Sequence, residues 1–255
     1  MQDKIEFGEL ELIARKAGEQ ILEIYNQEDI SQISEEKSDK SPLTLADKKS
    51  HNYIIEALHK LAPKIPVISE EGKEIPFETR RNWDYYWLVD PLDGTKEFLK
   101  RNGQFTVNIA LMKKNTPISG VIYVPVSKIT YLGGKDMGSF KISGDGEKVK
   151  IKVNKKVEKL IAVKSKSHSS EAENKTLKTY DVVDFIEVGS SLKFCMVAEG
   201  KADIYYRAGP TMEWDTAAGQ AVVEGAGGIV LNEMGEIFTY NKASLLNGSF
   251  ICKGF

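Results

Sequence analysis

Two carboxylates stand three residues apart where an apolar run ends. Residues 87–98 read W-L-V-D-P-L-D-G-T-K-E-F, so that Asp90 and Asp93 follow a predicted buried strand. Pro91 fixes φ and lacks an N–H donor, and the step from Asp93 to Gly94 favours a tight turn, so we expect the strand to stop there with both carboxylates facing one space. Close carboxylates repel unless a cation lies between them, and Mg²⁺ binds such oxygens while keeping positions for water and phosphate. The pattern indicates a divalent-metal site, with a solvated turn as the alternative.

Three further acidic groups stand at predicted ends of strands or starts of helices. Glu70 follows the apolar run P-V-I-S, and either it or its acidic neighbour can turn inward. Asp215 lies near the start of an alanine-rich helix, where the positive end of the helix dipole favours its ionised form. Asp47 opens another predicted helix. Asp215 and Asp47 each have a simple helix-capping role as the alternative, but all these acids together favour one metal and phosphate site.

Composition excludes several classes of protein. The chain has 255 residues and a formal net charge of −2, which gives no general attraction to nucleic acid or to an anionic membrane. It shows no apolar run near the roughly 20 residues of a membrane span, and its N-terminus is acidic and polar. We therefore expect a cytoplasmic protein, with any membrane association limited to peripheral contact at the inner face of the cell membrane. Cys195 and Cys252 form no C-x-x-C pair, which argues against a disulfide framework or a structural zinc site.

The periodicity of the sequence predicts two lobes. Apolar spacing predicts helices over about 10–25 and 47–61, and the polar segment 31–41 between them predicts a connection or a loop near a site. Short β-like runs separated by turn residues then predict an antiparallel sheet. The predicted strands of this part are 67–68, 85–89, 105–112, 120–124, 129–132 and 149–153.

Strands and helices alternate beyond about residue 159. The predicted strands are 160–163, 183–188, 204–205, 228–231 and 250–252, and the predicted helices are 171–180, 191–199 and 215–224. We therefore expect an α+β lobe over residues 1–153, carrying most of the acidic groups, and an α/β lobe over residues 154–255, carrying Asp215 and substrate-recognition residues. No flexible linker separates them, so we expect the lobes to pack together with a cleft between them.

The chain resembles the lithium-sensitive, magnesium-dependent phosphatase superfamily that includes the inositol monophosphatases. It is most similar to the CysQ-type branch, the 3′(2′),5′-bisphosphate nucleotidases. The resemblance covers nearly the whole chain through S-P-L-T-L-A-D, S-E-E-G, W-L-V-D-P-L-D-G-T-K-E-F-L-K-R-N-G-Q-F-T-V-N-I-A-L, G-S-S-L-K-F-C and W-D-T-A-A-G. The runs D-P-L-D-G-T and W-D-T-A-A-G are specific for the superfamily, whereas T-K-E-F-L-K-R-N-G and G-S-S-L-K-F are typical of the branch. The resemblance implies the layered αβαβα sandwich of the sugar-phosphatase fold.

The resemblance also implies the residues of a site for two or three Mg²⁺ ions. Metal ligands implied in this way are Glu70, Asp90, the main-chain carbonyl of Leu92, Asp93 and Asp215. Asp47 and Thr95 match the pair that orients the attacking water, with Glu70 as a third catalytic group. The amides of Gly94 and Thr95 match those that hold the phosphate. The implied reaction is in-line attack by a water that the metal activates, and lithium inhibition would follow from Li⁺ in a magnesium position.

Three segments bear on the choice of substrate. Arg207 follows an aromatic pair where inositol monophosphatases carry an acid, and a guanidinium suits a second phosphate better than a neutral polyol. Ser190 and Lys193, at a predicted loop-to-helix junction, can offer a hydroxyl and an ammonium to an anion. His168 lies in a run that resembles a loop facing the nucleotide in this branch. A surface arginine, a solvated helix lysine and an exposed loop histidine are the alternatives. The substrate-binding residues implied are Glu70, Leu92, Asp93, Gly94, Thr95, His168, Ser190, Lys193, Arg207 and Asp215.

We therefore predict a phosphatase that removes the 3′-phosphate of adenosine 3′,5′-bisphosphate, giving AMP and phosphate, with 3′-phosphoadenylyl sulfate as a further candidate substrate. In the family, this reaction clears a by-product of sulfate activation and sulfotransfer. The first alternative is an inositol mono- or polyphosphate 1-phosphatase on the same scaffold. A second alternative is a non-catalytic nucleotide-binding module, but the glycine cluster 225–228 follows a helix and does not fit a dinucleotide loop. No nucleic-acid partner is expected, and the sequence leaves the oligomeric state open.

Overall fold

The structure, a computed structural model, describes residues 7–26, 34–36, 42–165 and 171–255. The helices are α1 (Phe7–Tyr25), α2 (Leu45–Leu61), α3 (Phe77–Arg80), α4 (Thr95–Leu99), α5 (Glu171–Leu177), α6 (Leu192–Ala198) and α7 (Glu213–Gly225). The strands are β1 (Ser34–Glu36), β2 (Pro42–Thr44), β3 (Val67–Ser69), β4 (Tyr85–Asp93), β5 (Thr106–Lys113), β6 (Thr116–Val124), β7 (Ile129–Gly134), β8 (Gly138–Ile142), β9 (Lys148–Ile151), β10 (Leu160–Ser165), β11 (Val182–Val188), β12 (Ile204–Arg207), β13 (Thr211–Met212), β14 (Ile229–Asn232), β15 (Leu246–Asn247) and β16 (Phe250–Lys253).

The larger sheet has seven strands in the order β3-β4-β5-β6-β7-β8-β9. Neighbours from β4 to β9 are antiparallel, as predicted, whereas β3 pairs with β4 in parallel. The chain between β3 and β4 contains α3 and crosses over, so it returns in the same direction. Strand β8 was not predicted from the sequence, because its run G-S-F-K-I lacks a continuous apolar signal.

Strand β4 does not end at residue 89, as its predicted bounds had it, but continues through Pro91 to Asp93. Its register against β5 is irregular in this stretch: Asp90 faces Asn108, whereas Asp93 faces Thr106. Three steps along β4 therefore match two steps along β5, and this bulge accommodates Pro91, which has no N–H for the ladder. The chain turns at the predicted step from Asp93 to Gly94, and the φ of Gly94, 92°, lies in the left-handed region that favours glycine.

The smaller sheet is mixed and has five strands in the order β11-β10-β12-β16-β14. Strand β10 lies parallel to β11 and to β12, whereas β16 lies antiparallel to β12 and to β14. Parallel neighbours separated by helices agree with the α/β pattern predicted beyond about residue 159. The pairs β1–β2 and β13–β15 form two small additional ladders.

The helices and sheets form five layers. Helices α1 and α2 cover one face of the seven-stranded sheet, α6 and α7 lie between the two sheets, and α5 packs outside the smaller sheet. In β4, Trp87 and Val89 join the core under α1 and α2, whereas Tyr86 and Leu88 join the core under α7. Burial on both faces explains the continuous apolar run of this strand. The predicted αβαβα sandwich is confirmed.

Helix α7 belongs to the second half of the chain but packs directly on the seven-stranded sheet. A Cβ added at Gly120 in β6 would lie 2.6 Å from the carbonyl oxygen of Ala218 in α7, so only glycine permits this close approach. The start of α7 is thereby held against the sheet that carries β4. The division into lobes at residue 153 stays a prediction. None of the helices in the described ranges is long and apolar enough to cross a membrane.

Candidate active site

Three carboxylates that are far apart in the chain meet at one place. Glu70, Asp90 and Asp215 each present an oxygen, and these oxygens lie within 4.8 Å of one another. Glu70 directly follows β3 and Asp90 lies in β4, and because these strands are parallel neighbours, both residues reach the same edge of the sheet. Asp215 arrives from the first turn of α7, which packs on that sheet. The arrangement can hold a cation.

Main-chain hydrogen bonds fix the orientation of these residues. The N–H of Leu92 donates to Asp90 Oδ1 at 3.0 Å, and the N–H of Met212 donates to Asp215 Oδ2 at 2.8 Å. Asp215 thus takes part in a capping box at the start of α7 and also faces the cluster. The capping and site interpretations of Asp215 are therefore compatible. The N–H of Glu70 donates to the carbonyl of Val89 at 3.1 Å, which extends the β3–β4 ladder to the cluster.

Asp93 lies toward α6 rather than within the group of three. Its Oδ2 accepts a short hydrogen bond from the N–H of Ser191 and lies 3.5 Å from both Thr106 Oγ1 and Asn108 Nδ2. Ser191 Oγ in turn donates to Asn108 Oδ1 at 2.8 Å. Sequence reasoning missed this network. The signal was present, because Thr106 and Asn108 are polar residues on the same face of an otherwise apolar strand.

The acidic groups disfavour one another's ionised forms. Burial raises the pKa of Asp90, which is 1% exposed, and the charges of Glu70 and Asp93 raise that pKa further. Burial also raises the pKa of Asp215, and the charge of Asp93 adds to that effect. The solvated-turn alternative does not hold for Asp90. Several carboxylate oxygens this close together suit a hard divalent cation such as Mg²⁺. Such a cation prefers oxygen ligands, and its charge relieves the repulsion among the carboxylates.

Asp47 and Thr95 approach the cluster from two helices. Asp47 is buried in the first turn of α2, and its charge is among those that raise the pKa of Asp90. Helix α2 is tied to β4 where Ser50 Oγ donates to the carbonyl of Pro91 at 2.8 Å. Thr95 is the first residue of α4. Their role as a water-orienting pair stays a prediction, as does the role of the Leu92 carbonyl.

A cleft of about 310 Å³ runs from the acidic cluster to two basic side chains. The sequence-predicted residues that line it are Glu70, Asp93, Gly94, Thr95, Ser190, Lys193, Arg207 and Asp215. Asp47, Asp90 and Leu92 are buried and are not among its lining residues. His168 lies outside the described residues. The cleft has the size of a small-ligand site.

Three basic residues line the cleft, and two of them, Lys193 and Arg207, are shielded from solvent, whereas Lys96 is exposed. Lys193 is 8% exposed, and its ammonium donates to the carbonyl oxygen of Ser190 and lies 5.7 Å from the ring centroid of Tyr205. Burial lowers the pKa of Lys193, whereas the Asp93 carboxylate raises it. Arg207 Nη1 donates to Glu173 Oε1 at 3.2 Å. The alternatives of a solvated lysine and a surface arginine are therefore wrong.

Two partners of the site were not predicted from the sequence. Glu173 in α5 contacts Arg207 across more than thirty positions of the chain, and no local pattern indicated that pairing. On the other side, a ring nitrogen of His51 lies 2.9 Å from Ser69 Oγ, next to Glu70. His51 stands four residues after Asp47 in α2, so it lies on the same side of that helix.

Comparison with known proteins places the chain in a family. Residues 1–253 match the inositol monophosphatase family. The chain is 43% identical to the 3′(2′),5′-bisphosphate nucleotidase CysQ of Salmonella typhimurium, covering 93% of this chain and 95% of that one. The protein of the same name from Buchnera aphidicola is 44% identical, with coverage of 95% and 89%. The crystal structure of CysQ from Bacteroides thetaiotaomicron superposes with a TM-score of 0.85 at 42% identity, covering 98% and 99% of the two chains. This chain belongs to the inositol monophosphatase family.

Proposed function

We propose that the protein is a Mg²⁺-dependent 3′(2′),5′-bisphosphate nucleotidase that hydrolyses the 3′-phosphate of adenosine 3′,5′-bisphosphate to give AMP and phosphate. The observation that carries the proposal is one cleft with an acidic end, Glu70 and Asp215 beside Asp90, and a basic end, Lys193 and Arg207. The names of the relatives above 40% identity support the same activity.

We propose that the acidic end binds two or three Mg²⁺ ions. We propose as metal ligands Glu70, Asp90, the carbonyl of Leu92, Asp93 and Asp215. Bound there, Mg²⁺ would offset the negative charge of the phosphate, lower the pKa of a water molecule and stabilise the departing oxygen. The donor set supports this choice, since the three converging groups are all carboxylates.

The chain's own residues would position the reactants. We propose that Asp47 and Thr95, with Glu70, orient the water and accept its proton, since each lies at or beside the acidic cluster. The amides of Gly94 and Thr95 would donate to the phosphate that is cleaved. The left-handed φ of Gly94 turns the main chain from β4 into α4 at this point, which supports that role. Correct orientation is what makes attack on the phosphorus productive.

The basic end would select the substrate. Lys193, Ser190 and Arg207 lie in the same cleft as the acidic cluster, so a ligand with two phosphates can place one at each end. A guanidinium suits a phosphate and would not accept hydrogen bonds from a polyol, which disfavours an inositol phosphate. 3′-Phosphoadenylyl sulfate carries the same 3′-phosphate and stays a further candidate. Cytoplasmic location stays a prediction.

A phosphate-release assay tests the proposal. Purified protein would be incubated with adenosine 3′,5′-bisphosphate, inositol 1-phosphate or fructose 1,6-bisphosphate, with Mg²⁺, without it, and with Mg²⁺ plus Li⁺. We expect a clear preference for the nucleotide, dependence on Mg²⁺ and inhibition by Li⁺. Equal rates on all three substrates would refute the substrate assignment, and nucleotide binding without phosphate release would indicate the non-catalytic alternative.

A further inference from the structure

Glu173 holds Arg207 from outside the cleft. Its Oε1 accepts hydrogen bonds from Arg207 Nη1 at 3.2 Å and from the main-chain N–H of Ala208 at 3.3 Å. One oxygen therefore fixes both the side chain of Arg207 and the backbone that follows it. Arg207 lines the cleft, whereas Glu173 is only 4% exposed and is not among the lining residues. Among the described residues, the contact that links Glu173 to the lining of the cleft is the one with Arg207.

The negative charge of Glu173 opposes the binding of an anion in the cleft. Its contact with Arg207 must therefore favour binding by some effect other than charge attraction. A carboxylate beside Arg207 offsets part of the positive potential that would attract a phosphate. A free arginine side chain, however, loses rotamer entropy when a ligand immobilises it. An ion pair formed before the ligand binds removes much of that cost and sets the direction of the guanidinium. The Glu173–Arg207 contact thus fixes the orientation of the guanidinium, although it weakens the positive potential that attracts the phosphate.

We propose that Glu173 is a positioning residue that orients Arg207 toward the substrate phosphate that is not cleaved. It thereby sets the preference for bisphosphates over monophosphates of the same nucleoside. This inference rests on the proposed function and adds to it a residue on α5 that never touches the substrate. It also explains why a buried carboxylate stands at the basic end of an anion-binding cleft.

Two substrates that differ by one phosphate isolate the effect of Glu173 on KM. Adenosine 3′,5′-bisphosphate and adenosine 3′-monophosphate share the cleaved phosphate and differ only in the phosphate assigned to Arg207. For E173A, we expect KM for the bisphosphate to rise about tenfold, which corresponds to about 1.4 kcal/mol. We expect kcat on both substrates, and KM for the monophosphate, to stay within about twofold of wild type. A general loss of structure would change both substrates together.

Two conservative variants separate geometry from charge. E173Q keeps an oxygen acceptor at the same place without the charge, so we expect KM for the bisphosphate within about threefold of wild type. E173D keeps the charge, but its side chain is one methylene shorter and does not reach Arg207 in the same way. We therefore expect a rise in KM for the bisphosphate close to that of E173A. These variants also keep the test decisive if E173A does not fold. E199A is the matched control, because Glu199 is a buried carboxylate that accepts from Lys141 and Tyr131 and is not among the cleft-lining residues.

The same change in an R207A background tests whether Glu173 acts through Arg207. We expect E173A to cause no further rise in KM for the bisphosphate in that background. The proposal is overturned if E173A lowers KM for the bisphosphate, if both substrates lose affinity equally, or if E173D behaves as wild type while E173Q does not. A wild-type enzyme that fails to hydrolyse adenosine 3′,5′-bisphosphate would instead refute the proposed function, before any variant is made.

Discussion

The two ends of the cleft differ in whether their charged side chains repel one another or are already paired with protein groups. At the acidic end, carboxylates from β4 and α7 lie close to Glu70, and their charges raise one another's pKa. At the basic end, Lys193 donates to a protein carbonyl and Arg207 pairs with a buried carboxylate. The acidic end gains most from an added cation, whereas the basic end is already ordered by the protein. Charge repulsion therefore indicates where a metal belongs, and prior pairing indicates where a ligand is positioned.

The largest effect is expected from D90N. This variant removes the charge of the most deeply buried member of the acidic cluster while keeping its shape. We expect kcat/KM for adenosine 3′,5′-bisphosphate to fall by about 10³-fold or more, as with other losses of a central electrostatic group. Phosphate release gives the measurement, with D84N as control, because Asp84 is an exposed aspartate just before the same strand. Activity above about a tenth of wild type would remove Asp90 from the metal site.

Magnesium should stabilise the fold through the same end of the cleft. A ligand at a hundred times its Kd adds about 2.7 kcal/mol to the free energy of unfolding, so we expect Tm to rise by roughly 5–10 °C. Without Mg²⁺, we expect D90N to have a higher Tm than wild type, by about 2–4 °C, because the variant relieves repulsion among the carboxylates. Thermal unfolding followed by circular dichroism measures both. A Tm of D90N that rises with Mg²⁺ as much as that of wild type would contradict this account of the acidic end.

At the basic end, K193M tests whether the buried ammonium binds the substrate. Methionine fills similar apolar space but removes the charge, so we expect KM for the bisphosphate to rise about 10- to 150-fold, the range for losing a hydrogen bond to a charged group. The stability should change little, because burial already disfavours the charged lysine. Steady-state kinetics give the measurement, and K201M is the matched control, since Lys201 is exposed. An unchanged KM would leave Lys193 as a packing residue only.

The smallest effect concerns the support of Glu70. S69A removes the hydroxyl that lies 2.9 Å from the His51 ring. We expect the Mg²⁺ concentration for half-maximal activity to rise about two- to tenfold, which matches a hydrogen bond of about 0.5–1.5 kcal/mol. The variant H51A should have a similar effect, and the double variant should not add to it. Fully additive effects of the two single variants would show that the contact does not act on the metal site.

The local sequence predicted most of the elements and the acidic residues of the site. Helices α1 and α2 follow from apolar spacing, and the central strands follow from short apolar runs between turns, because both signals are set by residues near each other in the chain. Pro91 shows the limit of such signals. The predicted strand ended at residue 89, before this proline, but a bulge against β5 carries β4 past it to Asp93. Pairing with a neighbouring strand decided that outcome.

The residue types at Glu70, Asp90, Asp93 and Asp215, together with their motifs, were enough to indicate metal-dependent phosphate chemistry. Three of these residues, Glu70, Asp90 and Asp215, have oxygens within 4.8 Å of one another, and Asp93 is not in that group. Their convergence depends on the parallel pairing of β3 with β4 and on the packing of α7. The partners Glu173 and His51 depend in the same way on elements distant in the chain. The chemical character of each side chain follows from the residue type alone. The distance between two side chains from distant parts of the chain is set by how whole helices and strands pack, and this packing is established only when the chain folds.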